Sequence, residues 1–273
     1  MSLKGEFKKM VTRLQDSFRI PPIANIFLPP FYRGGQPNDS QFMAIALEEG
    51  ATGISYILLP DSREEAYNAL QPHELIGRYP QEFALEFGSN DPVWEMIAMA
   101  SINAICQHVM KETRFELDYV TDPFGLTTIE KGDRVGMVGL FSGLIGRIRK
   151  AGADLVIIEK KENLVEKYHD LPITTDTKSL ASCNKVLCTS TTVLNNSLDE
   201  ILNYCSADAF VSVVGPTAGY LPDPLFASGV DVLGGRVVTN SAEFLDRLAA
   251  RKRWEDSTQK TCFQRKTYRT IIH

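Results

Sequence analysis

From residue 133 onward the chain repeats one arrangement: a short, continuously apolar run, a turn, then an amphipathic stretch. The runs are RVGMVGLF (134–141), ADLVIIEK (153–160), NKVLCTS (184–190) and AFVSVVGP (209–216). None has a polar face, so each strand must be covered on both sides. That is the condition of a parallel sheet flanked by helices, and it predicts a Rossmann-like α/β unit. Between the runs, SGLIGRIRKAG (142–152) reads as a helix with Leu144, Ile145 and Ile148 inward and Gly152 as its stop. A second helix starts near 197 with Leu198, Ile201, Leu202 and Cys205 on one face. A short helix from Asp223-Pro224 to Gly229, a strand pair around Gly234–Gly235 and a helix opened by the capping box Asn240–Glu243 follow. Residues 251–273, rich in Arg and Lys, read as a solvated basic tail.

The preceding residues lack that rhythm. KGEFKKMVTRLQDS (4–17) predicts an amphipathic helix with Phe7, Met10, Val11 and Leu14 on one face. Strands are expected at 23–29, 42–50 and 53–60, and a helix over 63–77 broken near Pro72. A longer helix spans 91–112, capped by Asn90 or Asp91, with Ala98, Ser101 and Ala104 as a stripe of small residues. At 273 residues the chain is long for one core. It divides into an α+β domain, 1–125, and a Rossmann-like domain, 126–273.

Several function classes are disfavoured. A net charge of −5 gives no reason to expect nucleic acid or an anionic membrane as partner. No apolar stretch approaches the roughly 18 residues of a membrane span. The N-terminus lacks the apolar core of a secretion signal, so the expected address is cytoplasmic. The five cysteines are scattered without a CxxC pair, and the four histidines show no HxH or HExxH spacing. His108 reads as structural. No Ser-His-Asp arrangement, P-loop or paired acid–base cluster identifies a reaction.

In an open parallel sheet, ligands bind beyond the carboxyl ends of the strands. The first such end is Gly139-Leu-Phe141-Ser142-Gly143-Leu-Ile-Gly146, a turn that either cradles an anion at a helix start or merely lets helix and strand pack. The second is Glu159, which either accepts ribose hydroxyls or is a solvated carboxylate beside Lys160, Lys161 and Glu162. Together they would suit an adenosyl group, of NAD or S-adenosylmethionine. The third is Cys188 followed by Thr189, Ser190, Thr191 and Thr192, with Asn195 or Asn196 capping the next helix. Asn196 and Asp199 there resemble a capping box. These hydroxyls exceed what one cap requires, and either bind a polar ligand or satisfy turn backbone. The fourth is Gly215-Pro216-Thr217. Asn103, polar within the apolar helix, either faces solvent or serves a cleft between the domains.

The segments IAMASINA (97–104), RVGMVGLF, VIIEK, TSTTVLNNSLDEIL (189–202), VVGPTAGYLPDPLFASGVDVLGG (213–235) and VVTNSAEFL (237–245) resemble a family of unknown function labelled as heavy-metal chelation proteins. The chain departs from the family's usual shape over residues 17–60. The resemblance implies a domain like the N-terminal domain of enolase joined to a Rossmann-like domain, with a site in the cleft between them. Its ligand would be a metal ion, a metal complex or a small polar molecule, and homo-oligomers are possible partners. At the strand ends the candidate metal ligands are Cys188 and Glu159, whereas soft metals want several thiolates or imidazoles.

Overall fold

The computed structural model describes residues 2–124, 126–160, 168 and 170–272. Met1, Gly125, the Lys161–Glu162 part of the second strand end, His169 and His273 lie outside the described residues.

The first helix, α1 (Leu3–Ser17), is capped by Ser2, whose hydroxyl accepts from the Gly5 N–H, and its Phe7, Met10, Val11 and Leu14 are all buried. Three strands follow as an antiparallel meander, β1 (Ile23–Phe27), β2 (Phe42–Leu47) and β3 (Thr52–Tyr56). Every residue of the central β2 is buried. A strand shows no polar face when both of its faces are covered. Met43, Ile45 and Leu47 enter the main core, while Ala44 joins Ile54, Phe244 and Leu248 in a small cluster on the opposite face. Short helices α2 (Glu64–Asn68), α3 (Pro72–Leu75) and α4 (Pro80–Ala84) lead to α5 (Pro92–Glu112). The break near Pro72 falls as the proline predicts, and α4 is an addition to the helices expected.

Asp91 caps α5 by accepting from the Val93 N–H, and Pro92 occupies the first turn, where a missing N–H costs little. From Glu95 to Met110 every α5 residue is buried, the signature of a helix packed on all sides. Strand β3 lies so close to it that a Cβ on Gly53 would stand 2.0 Å from the Ala100 carbonyl oxygen and 2.3 Å from the Ala104 nitrogen. The small residues of α5 therefore serve the approach of a strand.

Among the described residues, the second sheet has seven strands in the order β10-β9-β8-β7-β4-β5-β6. These are β4 (Arg134–Val138), β5 (Asp154–Ile158), β6 (Ile173–Thr174), β7 (Lys185–Thr189), β8 (Phe210–Val214), β9 (Val232–Val238) and β10 (Thr258–Gln264). All pairings from β9 through β6 are parallel. Among the described residues, the α-helices that follow are α6 (Ser142–Ala151), α7 (Thr191–Leu194), α8 (Leu198–Tyr204), α9 (Asp223–Ala227) and α10 (Ser241–Ala249). Gly152 ends α6 with φ +72°, and Asn240 caps α10 by accepting from the Glu243 N–H.

Three expectations are corrected. The strand pair around Gly234–Gly235 is one unbroken strand. The basic tail contains β10, which pairs antiparallel with β9 over its whole length; Gln259 and Lys260 are exposed, while Thr258, Thr261, Cys262 and Phe263 are buried. Finally, Asn196 and Asp199 form no capping box. Asn196 takes a left-handed conformation (φ +59°), and its amide donates to Glu95, while Asp199 accepts from the Leu3 N–H.

The main hydrophobic core runs across residue 125 without interruption, from Phe7 and Ile97 to Val186 and Leu233. Phe7 meets Tyr220 edge-on at 4.9 Å, and the Thr52 hydroxyl lies 2.6 Å from that of Ser241. Among the described residues, no helix is long and apolar enough to cross a membrane.

Candidate functional site

Strand β4 has β5 on one side and β7 on the other, so the connections leaving β4 and its neighbours diverge. A crevice forms where they part, as in other doubly wound sheets. A cavity of about 480 Å³ occupies this place, bounded by the carboxyl ends of β4 (Val138), β5 (Ile158) and β7 (Thr189). Tyr56, the last residue of β3, and Leu58, just past it, close it from the N-terminal half. The volume is that of small-molecule sites in general.

Each wall follows from local sequence. Gly139 turns the chain out of β4 with φ +84°, a conformation natural to glycine, and a Cβ there would stand 2.9 Å from the Thr189 methyl. The turn delivers Phe141 to the cavity and starts α6 without a side-chain cap. The Phe141 N–H donates to the Met137 sulfur, and the Leu144 N–H donates to the Phe141 carbonyl at 2.9 Å. Glu159 follows β5 directly; its N–H donates to the Thr174 carbonyl and its carboxylate accepts from the Lys160 N–H at 2.9 Å. At the end of β7 the Thr189 and Thr191 hydroxyls lie 3.1 Å apart, and the Thr192 hydroxyl donates to the Thr189 carbonyl at 2.7 Å. Asn195 accepts from the N–H and hydroxyl of Ser197, forming the turn between α7 and α8.

The cavity thus gathers Gly139, Phe141, Glu159, Thr189, Thr191, Thr192 and Asn195 from the residues singled out in the sequence. Tyr56, Leu58, Lys160, Thr177, Ser197 and Glu200 also line it and were missed. Glu200 had a readable signal, standing among the first residues of a helix that follows a strand end. Tyr56 and Leu58 had none, because they arrive from another sheet.

The other expected residues lie elsewhere. Ser142 and Gly143 are exposed on the first turn of α6 and outside the cavity wall. Ser190 is buried beneath Gly215, where an added Cβ would stand 2.1 Å from its hydroxyl oxygen. Gly215 and Pro216 belong to that packed turn. Thr217 is buried as a clasp: its hydroxyl accepts from the Tyr56 N–H, and its carbonyl accepts from Asn103. Asn103 faces neither solvent nor cavity. Its amide donates at 2.7 Å to the carbonyls of Ile54 and Thr217, tying β3 to the loop after β8. Cys188 is wholly buried in the apolar core, which pushes its thiol far above the ordinary range. A thiol so enclosed does not supply a thiolate.

These placements bear on metal binding. Among the described residues lining the cavity the possible metal ligands are two carboxylates, hydroxyls and an amide, beside the cationic Lys160, with no thiolate or imidazole. Such a set does not fit a soft heavy-metal ion.

The comparisons agree with the fold. A protein of unknown function from Pyrococcus horikoshii is 18% identical, with 96% of this chain and 99% of that chain covered and a TM-score of 0.71. Another, from Desulfitobacterium hafniense DCB-2, is 19% identical, with 94% and 98% covered and a TM-score of 0.68. At these identities the likeness shows a shared fold. No curated protein matches the sequence. A family described as "Putative heavy-metal chelation" matches residues 122–266, just over half of the chain. With its mostly parallel seven-stranded sheet beside a small antiparallel one, the chain belongs to this family, DUF364.

Proposed function

We propose that the cavity beyond β4, β5 and β7 binds a small organic molecule bearing hydroxyl groups, of the adenosyl type carried by NAD or S-adenosylmethionine. The observation that carries this reading is the placement of Glu159 at the end of β5 in the same cavity as the Gly139 turn. In doubly wound folds an acidic side chain there accepts the ribose hydroxyls, and the glycine turn admits the ligand close to backbone. The hydroxyls of Thr189 and Thr191 and the amide of Asn195 add donors and acceptors. Leu58, Val138, Phe141 and Ile158 supply the apolar surface for a base.

A second reading keeps the family's description: a metal enters as a complex with an organic chelator, held by its polar periphery. Glu159 and Glu200, both lining the cavity, favour hydroxyls or a hard cation over a soft ion.

Thermal unfolding with NAD, S-adenosylmethionine, adenosine and metal–chelator complexes tests both. A ligand at about 100 times its Kd stabilises by roughly 2.7 kcal/mol, a rise in Tm of several degrees. Glu159→Gln is expected to remove the shift produced by a ribose-bearing ligand. A shift that survives Glu159→Gln, or no shift with any nucleoside, overturns the adenosyl reading. A shift with a metal complex alone supports the second.

A further inference from the structure

At the other end of β3 from the cavity, a second group of side chains converges. His108 lies in the last two turns of α5, Glu112 one turn further on, and Glu49 in the turn between β2 and β3. One ligand atom from each lies within 4.8 Å of the others. We propose that Glu49, His108 and Glu112 form a binding site for one divalent first-row cation, with Nδ1 of His108 as its nitrogen ligand.

The imidazole carries the argument. His108 is only 2% exposed, and its Nε2 lies 3.0 Å from the carbonyl oxygen of Arg19. A carbonyl only accepts, so Nε2 bears the proton, and in the neutral ring Nδ1 presents a lone pair. That Nδ1 is buried and has no hydrogen-bond partner. A buried acceptor without a donor is costly and requires an explanation. The nearest Glu49 carboxylate oxygen is 3.9 Å away, too far for a hydrogen bond.

This is the arrangement of a metal-binding histidine, whose outer N–H is fixed by a carbonyl while the inner nitrogen faces the ion. Both carboxylates are exposed, and His108 is buried. Ligands in a tetrahedral site with bonds near 2.1 Å stand roughly 3.4 Å apart. The two glutamates therefore need to close by about 1 Å, within the reach of a change of side-chain rotamer. Of the neighbouring charges, Lys111 donates to the main-chain carbonyl of Glu49 at 2.9 Å, which holds the turn in place. One nitrogen and two carboxylate oxygens suit Zn²⁺, Co²⁺ or Mn²⁺ rather than thiophilic ions.

Titration of tag-free protein with Co²⁺, followed by visible absorption and then Zn²⁺ competition, tests the proposal. One ion per chain is expected, with affinity lowered at least about tenfold by Glu49→Gln and by Glu112→Gln. Both positions are exposed, so these variants keep the fold. The ¹⁵N resonance of His108 Nδ1 is expected to move on Zn²⁺ addition. Failure to bind, or binding unaltered in both glutamine variants, overturns the proposal. So does binding lost on Glu159→Gln and retained in those variants, which would put the ion in the cavity. A His108 Nδ1 resonance indifferent to added ions also overturns it.

Discussion

The side-chain amide of Asn103 holds two carbonyls that belong to opposite halves of the molecule, Ile54 and Thr217. Asn103→Ala leaves both acceptors buried without a donor, and a loss of about 3 kcal/mol in urea-induced unfolding is expected. Asn103→Asp, nearly identical in shape, should destabilise more, since a carboxylate has only acceptors to offer two carbonyl oxygens. Equal stability of the two variants would show that packing, not hydrogen bonding, dominates at this position. Gly53→Ala makes a companion test: its methyl meets helix backbone rather than a flexible side chain. A loss of roughly 3 kcal/mol is expected from the same measurement. Titration at single residues adds a pH dependence. Burial pushes Cys106 and Cys262 up to about 12 and Cys205 up to about 11. Unfolded thiols ionise near 8.5, so above that pH the unfolded chain holds fewer protons than the folded one. The stability these thiols contribute is fully present below pH ~8.5 and declines as pH rises toward 11–12. At the acid end, the side-chain hydroxyl of Thr121 lowers Asp118, and the Glu130 backbone N–H lowers Asp133. Their contribution is present above pH ~4 and is lost below it. Unfolding midpoints measured across pH should fall at both ends.

Among the elements, α10 shows how a local signal and a distant one combine. Asn240 caps it, and the cap is legible in four residues; Asn240→Ala is expected to cost about 1 kcal/mol, measured by thermal unfolding. The helix's destination, the outer face of the β1–β3 sheet, is written nowhere near it. The same contrast runs through the structure. Helices α1, α5 and α6 and the strands β4, β5, β7 and β8 were readable because apolar periodicity and caps are local. Strand β10 was not, because TQKTCFQ carries a charge and only a weak alternation, and its pairing with β9 supplies the missing order. Two-residue β6 is too short to have a period. The hydroxyl run read as cavity lining spends part of itself on structure, since Ser190 packs under Gly215 and Thr192 bonds back to Thr189. In the candidate site the residues at strand ends were legible, and those brought by β3 were not. Glu49 and His108 are likewise 59 positions apart, a spacing that no motif encodes.

For the whole molecule, the sandwiching of the β1–β3 sheet has a consequence for the order of assembly. One face of that sheet is covered by α5 and the other by α10, and the Thr52–Ser241 contact spans 189 positions. A chain emerging from a ribosome must therefore hold a half-finished sheet, apolar on the uncovered side, until nearly all of the remaining sequence has been made. Contacts of such separation slow folding and expose intermediates to aggregation. A fragment of residues 1–125 should bind a hydrophobic dye and lack the sharp unfolding transition of the whole chain, and adding residues 126–273 in trans should restore it. The β1–β3 meander is thus among the last parts to be secured, and a chaperone that shields nascent apolar surface has its natural client in that interval.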